Sequence, residues 1–426
     1  MKIKTILSII MTLGCFGFTV GCSSIESIEV KEVIPMVQQI DEVSYPQKII
    51  IALGEATHGN KEFTQLKLRV FKQLVEQQNI CVFALEGDMG GCRKVNDYIQ
   101  GGKGTAEQAA SEIGFAIYRT QEMVDLIEWM RSFNEDKPES EQIRFYGYDM
   151  QRYDNSKSEL LKILNNSASE LNQQYASTLN KFTDDNMYDL DKDTVKTVIS
   201  ELETLNNHLE EQRDTIISAT SEMEFALAQQ YAECIRQNSE LRLADSDYGT
   251  KRDSYMADNV EWILEYEETF YGNNRIFIAG HNGHIGKTTA TVGTEKIMGE
   301  LLAEKYGDEY FAIGTEFYES TFLASDYNTG ERREYRVKNS GNNRLAVLLH
   351  EAANDSLYLK MEVENTDSDL ARYLNEKQPM SSIGDMFSNT FSKTEKAYTQ
   401  KIAPYKAYNG IIFIDTLTPS TMLDSK

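Results

Sequence analysis

From residue 48 onward, two hydrophobic rhythms alternate along the chain. Short apolar runs at 48–53, 80–85 and 143–148 read as strands. Between them, apolar residues recur every three or four positions, as on one face of a helix. In residues 62–75 these are Phe63, Leu66, Val70, Phe71 and Leu74. Further helical patterns fall at 93–100 and 121–133. This β-α-β-α-β order predicts an α/β fold with a mostly parallel sheet and crossover helices.

Residues 155–248 differ. They are rich in Leu, Glu, Gln, Asn and Ser, with almost no Gly or Pro. They predict two or three long helices inserted over one edge of the sheet. The first pattern then returns as helix 251–266, strand 275–279, helix 294–305 and strand 310–315. The last hundred residues mix β runs (335–337, 357–363, 411–414) with helices (344–351, 370–375). The expected layout is an α/β core of 45–154 and 249–325, a long-helix insertion of 155–248, and a smaller α+β part in 326–426 that returns to the core. A polar linker, 22–44, precedes the core.

Composition narrows the partners. The formal net charge of -24 repels nucleic acid, which is bound mainly through phosphates, and favours a small-molecule or neutral substrate. The N-terminus reads as a targeting segment. Lys2 and Lys4 precede an apolar stretch, 6–20, too short for a comfortable membrane span. It ends in Thr19-Val20-Gly21-Cys22-Ser23-Ser24, which resembles the lipobox of bacterial lipoproteins. Residues 1–21 are then a signal peptide and Cys22 carries the lipid anchor; the alternative is an ordinary secretory signal. Either places the mature domain outside the cytoplasm. Cys81, Cys92 and Cys234 remain, an odd number without close spacing, which argues against a disulfide scaffold or zinc ribbon. A Cys92–Cys234 bridge stays open.

The chain has five histidines, and three of them follow apolar runs. Gly54-Glu55-Ala56-Thr57-His58-Gly59 closes one run, and Gly280-His281-Asn282-Gly283-His284 closes another. Glu86 and Asp149 close two more. Parallel sheets bind ligands at the carboxyl ends of their strands, so His58, Glu86, Asp149 and His281 are expected to converge. A turn holding Glu55 beside His58 favours the imidazolium and makes the ring a stronger base for water. His281 and His284 suit metal ligation, donation to an oxyanion, or a packed pair in a glycine loop. His208 reads as part of a solvated helix face, and His350 as a helix surface residue without an H-E-x-x-H partner. The segment 280–288 imitates a P-loop but has five residues between its glycines where four are needed. No G-x-S-x-G supplies a serine nucleophile.

Taken in order, these segments resemble the erythromycin esterase family. The matching positions are 54–59, Glu62-Phe63, Lys67, Arg69, 84–88, 147–149, 252–259, 281–284, Met298-Gly299, 306–308 and 413–416, so the resemblance spans about 49–421. It implies an α/β core with an inserted helical domain, and hydrolysis of a cyclic ester by water without a covalent enzyme intermediate or cofactor. His58 would be the general base, with Glu55 and Glu86 orienting base and water. His281 and His284 would line the cleft and face the oxyanion. Lys67, Arg69, Asp149, Arg252 and Asp253 would surround the substrate or support the site. Many members carry Trp where this chain has Ala279-Gly280, a change expected to widen the pocket. The signal segment is a second departure, because the macrolide-inactivating esterases act in the cytoplasm. Two other readings stay open: a metal-dependent hydrolase using the same Glu/His set, and a ligand-binding surface lipoprotein without catalysis.

Overall fold

The computed structural model describes residues 28–352, 355–362 and 367–424. The signal segment and Cys22 lie outside the described residues. The strands are β1 (Val37–Gln38), β2 (Ile50–Glu55), β3 (Val82–Asp88), β4 (Arg144–Asp149), β5 (Ile276–His281), β6 (Tyr310–Asp326), β7 (Arg332–Lys338), β8 (Leu357–Lys360), β9 (Gln378–Ser381), β10 (Met386–Phe387), β11 (Thr399–Ile402) and β12 (Gly410–Leu417). Most join one mixed sheet in the order β1-β8-β12-β6-β2-β5-β3-β4, with β7 and β10 also on β6. The run from β12 to β4 is parallel. The α/β reading therefore holds.

The apolar runs are unbroken because the central strands are covered on both faces. Successive side chains feed opposite cores. Ile50, Ala52, Ile276 and Ile278 join one, and Ile51, Leu53, Phe277 and Ala279 the other. Helix Lys61–Gln78 packs Phe63, Leu66, Val70, Phe71 and Leu74 into the second core. It ends at Asn79 in the left-handed region (φ 55), a conformation Asn tolerates as a helix stop. Helix Tyr248–Tyr271 covers the other face with Met256, Val260 and Ile263.

Three sequence expectations change. The insertion beside edge strand β4 is built mainly of short helices, Asp154–Ser167, Ser169–Leu179, Lys192–Leu202, Leu205–Glu211 and Arg213–Ala219; only Glu222–Leu241 is long. The expected linker is packed from residue 28 on. Ile28, Val33, Ile40 and Val43 are buried, and β1 covers the edge of β8. Its few apolar residues dock one side of a polar strap. In the tail, β7, β8, β10 and β12 belong to the main sheet, and β9 pairs apart from it with β11. Cys81, Cys92 and Cys234 are all free thiols, so the Cys92–Cys234 bridge does not form. Among the described residues no helix is long and apolar enough to cross a membrane.

Candidate active site

The carboxyl ends of β2, β3, β4 and β5 open on a cleft of about 510 Å³, a size that suits a small-molecule ligand. His58, Glu86, Asp149, Arg252, His281 and His284 line it. Glu55 and Lys67 lie buried behind His58, and Asp253 behind His284.

Backbone irregularities aim these groups. β2 ends at Glu55, and the chain turns tightly through His58 and Gly59. A side chain at Gly59 would strike the Leu323 carbonyl of β6 at 1.9 Å, so only glycine lets the turn lie against that strand. The β3–β4 register shifts between Leu85 and Asp88, a bulge that redirects the strand at Glu86. Gly280 leaves room beneath β5: a Cβ there would meet the Tyr148 hydroxyl at 2.3 Å and Glu86 Oε2 at 3.0 Å. Glu86 Oε2 thereby accepts the His281 backbone N–H at 2.7 Å. Gly280 faces this packing, and neither Ala279 nor Gly280 is among the residues that line the cleft.

His58 and His281 face one another, with ring centroids 4.9 Å apart, and their hydrogen-bond partners assign their protons to opposite nitrogens. His58 Nδ1 donates to Glu55 Oε1 at 2.7 Å, which leaves Nε2 with the lone pair of the neutral ring. Glu55 is held in turn by Lys67 on its other oxygen. Burial opposes the Glu55 charge, but Lys67 and His58 pull its pKa down to about 2. Burial also opposes protonation of His58, and Glu55, Glu86 and Asp385 overcome it, raising the pKa above its ordinary value.

His281 is the reverse. It caps the short helix Asn282–Ile285, its Nδ1 accepting the Gly283 N–H at 3.1 Å. A backbone amide can only donate, so the ring proton is on Nε2. That Nε2 is buried and has no hydrogen-bond partner among the described residues. Burial, then the nearby His58, push the His281 pKa down to about 3. The ring is neutral and offers an uncommitted N–H.

The remaining members hold one another. Arg252 donates to Asp149 Oδ2 at 2.6 Å, Glu86 Oε1 at 2.8 Å and His284 Nε2 at 3.0 Å. Burial disfavours the Glu86 charge, but His284, Arg252, His58 and the His281 amide keep its pKa well below the carboxylate range. His284 Nδ1 meets Asp253 Oδ1 at 2.8 Å, and Asp253 Oδ1 also takes the Met298 N–H at 2.9 Å. Burial lowers the His284 pKa, and Asp253 and Glu86 more than restore it. Since Arg252 can only donate, the Nδ1–H tautomer fits both contacts. His284 lines the cleft, but both its nitrogens are engaged, and it has no donor left for an oxyanion.

Arg69 is not in the cleft. It is part-exposed and pairs with Asp41 at 2.5 Å. For the alternative, metal-dependent reading, no group of three or more His, Cys, Asp or Glu side chains among the described residues is placed to hold an ion. Glu55, Glu86 and His284 are already bound to cations or N–H groups. His208 accepts or donates to Tyr175 at 2.8 Å, and His350 stacks on Tyr318 at 3.7 Å beside Asp415. Both have packed partners: His208 is part-buried, unlike the solvated helix face expected, whereas His350 lies on a helix surface as expected, with 33% of its side chain exposed. The sequence reading missed Arg152, Arg332 and Asp385 and the wall 115–117. Arg152 lies three residues beyond Asp149, a position that strand-end logic covers. Arg332 opens β7, and Asp385 and the wall 115–117 come from short irregular segments without a periodic signal.

A largely parallel sheet that gathers imidazoles and carboxylates at its strand ends, in a chain without a serine elbow, defines an α/β protein with a charged cleft at the carboxyl edge of its sheet. The erythromycin esterase family model matches residues 75–417, and the chain belongs to that family of hydrolases, whose substrates are small molecules. The matched span holds Glu86, Asp149, Arg252, Asp253, His281 and His284; Glu55, His58 and Lys67 precede it and join the site by geometry. YbfO of Bacillus subtilis (strain 168) is 22% identical over 416 residues, covering 88% of this chain and 85% of its own. Erythromycin esterase type II of Escherichia coli is 24% identical over 319 residues, covering 68% and 74%. A crystal structure of a Bacillus cereus protein superposes with a TM-score of 0.79 at 23% identity, covering 93% of this chain and 98% of that one. An erythromycin esterase mutant in its open conformation gives 0.66 at 15% identity, covering 93% and 95%. These structures share the fold.

Proposed function

We propose that the cleft hydrolyses a carboxylic ester or lactone by direct attack of water. The observation that carries this reading is the opposed state of two facing imidazoles. Environments that push neighbouring pKa values apart divide the acid–base roles. His58, with its raised pKa and Nδ1 on Glu55, is the general base. His281, neutral with a bare Nε2–H, is the electrophile. Water adds to the carbonyl carbon and gives its proton to His58 Nε2, while the carbonyl oxygen becomes an oxyanion facing His281 Nε2–H. As the tetrahedral intermediate collapses, the C–O bond breaks and the leaving alkoxide takes that proton from His58. The products are a carboxylic acid and an alcohol. Glu86, Arg252 and Asp149 hold the His281 backbone and the cleft wall. His284 positions Arg252.

A panel of esters and lactones, macrolides included, tests this on wild type and His58→Ala, with and without chelator. The reading expects chelator-insensitive turnover of some ester, lost in His58→Ala while the circular dichroism spectrum is kept. Full activity in a folded His58→Ala protein would overturn it. We also propose that Cys22 is lipidated and anchors the domain outside the cytoplasm, motivated by the lipobox-like segment 19–24. Palmitate labelling that persists in Cys22→Ser would exclude this.

A further inference from the structure

The cleft holds three arginines, Arg152, Arg252 and Arg332. Arg252 is matched by Glu86 and Asp149, and Arg332 by Asp385. Arg152 has no carboxylate within ion-pair distance among the described residues, in a chain where 67 acidic residues face 43 Lys and Arg. Its Nε is buried and makes no hydrogen bond, and the guanidinium lies over the Phe115 ring, 5.2 Å from its centroid. Arginine presents a rigid fork of donors suited to carboxylate or phosphate oxygens. The segment that carries it is pinned. Asn238 Nδ2 donates to the Met150 and Gln151 carbonyls, and Gln151 Nε2 to the Tyr248 hydroxyl. A fixed, stacked and unpaired arginine in the same cleft as His58 and His281 is a ready seat for an anion.

Building on the esterase reading, we infer that the substrate is an ester carrying a second, anionic oxygen group, which docks on Arg152 while its ester carbonyl lies between His58 and His281. The fork at Arg152 supplies donors that offset the repulsion of the chain's general negative charge.

The test uses the full mature chain, Arg152→Met, Arg152→Lys, and Arg69→Met as a control outside the cleft. Release of para-nitrophenol is followed from para-nitrophenyl hydrogen glutarate, from its neutral methyl ester, and from a phosphate-bearing analogue. We expect wild type to prefer one of the anionic esters by about tenfold or more in kcat/KM, a gain typical of one charge-assisted pair. Arg152→Met should abolish that preference mainly through KM, Arg152→Lys should restore part of it, and Arg69→Met should match wild type. Which anion is preferred, carboxylate or phosphate, identifies the ligand. Titration calorimetry with glutarate and with inorganic phosphate gives a readout free of chemistry, and binding of the preferred anion should weaken about tenfold in Arg152→Met. Anion binding that depends on Arg152 without turnover of any ester would sink the esterase reading and leave the anion seat standing. Ester turnover with no dependence on Arg152 in either assay would overturn this inference alone. The absence of both would overturn it as well.

Discussion

Replacing His281 by Asn separates the two jobs of that ring. Asn is a favoured helix cap, and its side-chain oxygen can keep the bond from the Gly283 N–H. Its amide ends one ring atom short, so the donor now at Nε2 is withdrawn from the cleft. The ring is buried, with 7% of its surface exposed, so trimming it costs packing of about 1–2 kcal/mol. Removing one preorganised oxyanion donor costs about 2.7–4 kcal/mol of transition-state stabilisation, a fall in kcat of about 10²–10³. KM should move little, because the ground-state carbonyl gains less from that N–H than the oxyanion does. The assay is a Michaelis–Menten comparison on whichever ester the panel identifies, paired with urea unfolding to confirm the modest loss of stability. The acid limb of the pH profile should survive, since His58 is untouched. A folded His281→Asn protein that keeps more than about a tenth of the wild-type kcat would remove His281 from the reaction.

Glu55→Gln removes the partner that raises His58, so burial should then lower its pKa. The acid limb of kcat/KM should shift to lower pH while the rate falls by about 10²–10⁴; an unmoved limb would exclude His58 as the titrating base. Asp88 is buried, its Oδ1 has no partner, and burial pushes its pKa from 3.8 up to about 7. A carboxyl raised on folding stabilises below its unfolded pKa and loses that contribution as pH rises through its folded pKa. Asp88→Asn should therefore gain on wild type in urea melts between about pH 4 and pH 7, by at most about 4 kcal/mol, and a constant difference across that window would contradict the assignment. Arg144 and Glu267 form a fully buried pair at 2.7 Å, joined by Tyr146 and Asn273. Glu267→Ala strands a buried guanidinium and should cost about 3–5 kcal/mol, whereas a loss below about 1 kcal/mol would mean solvent reaches the site.

What the sequence made legible was whatever a local pattern encodes. An apolar run followed by an acid or a His marks a strand end, and His58, Glu86, Asp149 and His281 duly share one rim. Lys67 and Arg69 show a misreading that local geometry corrects. Two residues apart on a helix, they point to different sides, and Lys67 meets Glu55 while Arg69 meets Asp41. Other features depended on long-range register. The bulge after Leu85 decides where Glu86 points, and Arg332 meets Asp385 across 53 residues. The same holds for His350, whose partners Tyr318 and Asp415 lie on separate strands. In the insertion, amphipathic spacing gave helix but not the breaks between helices, which follow loops such as 180–191 that carry no Gly or Pro.

The arrangement of partners also explains how a cleft without a serine nucleophile can be specific in its chemistry. Glu55 is fixed by Lys67 and His58, Glu86 by Arg252 and the His281 amide, and Asp253 by His284 and the Met298 amide. Each carboxylate is thereby held in place, and the charges around Glu55 and Glu86 keep those two ionised and unable to take a proton from water near neutral pH. Both nitrogens of His284 are spent in the same network. Two ring nitrogens remain uncommitted in the core of the site: Nε2 of His58, which bears a lone pair, and Nε2 of His281, which bears a proton. A reacting carbonyl placed between them meets a base for its incoming water on one side and a donor for its oxygen on the other. In the proposed mechanism the surrounding charges act on catalysis through these two rings, by setting where their protons sit, and substitutions in that shell should change pH profiles before they change binding.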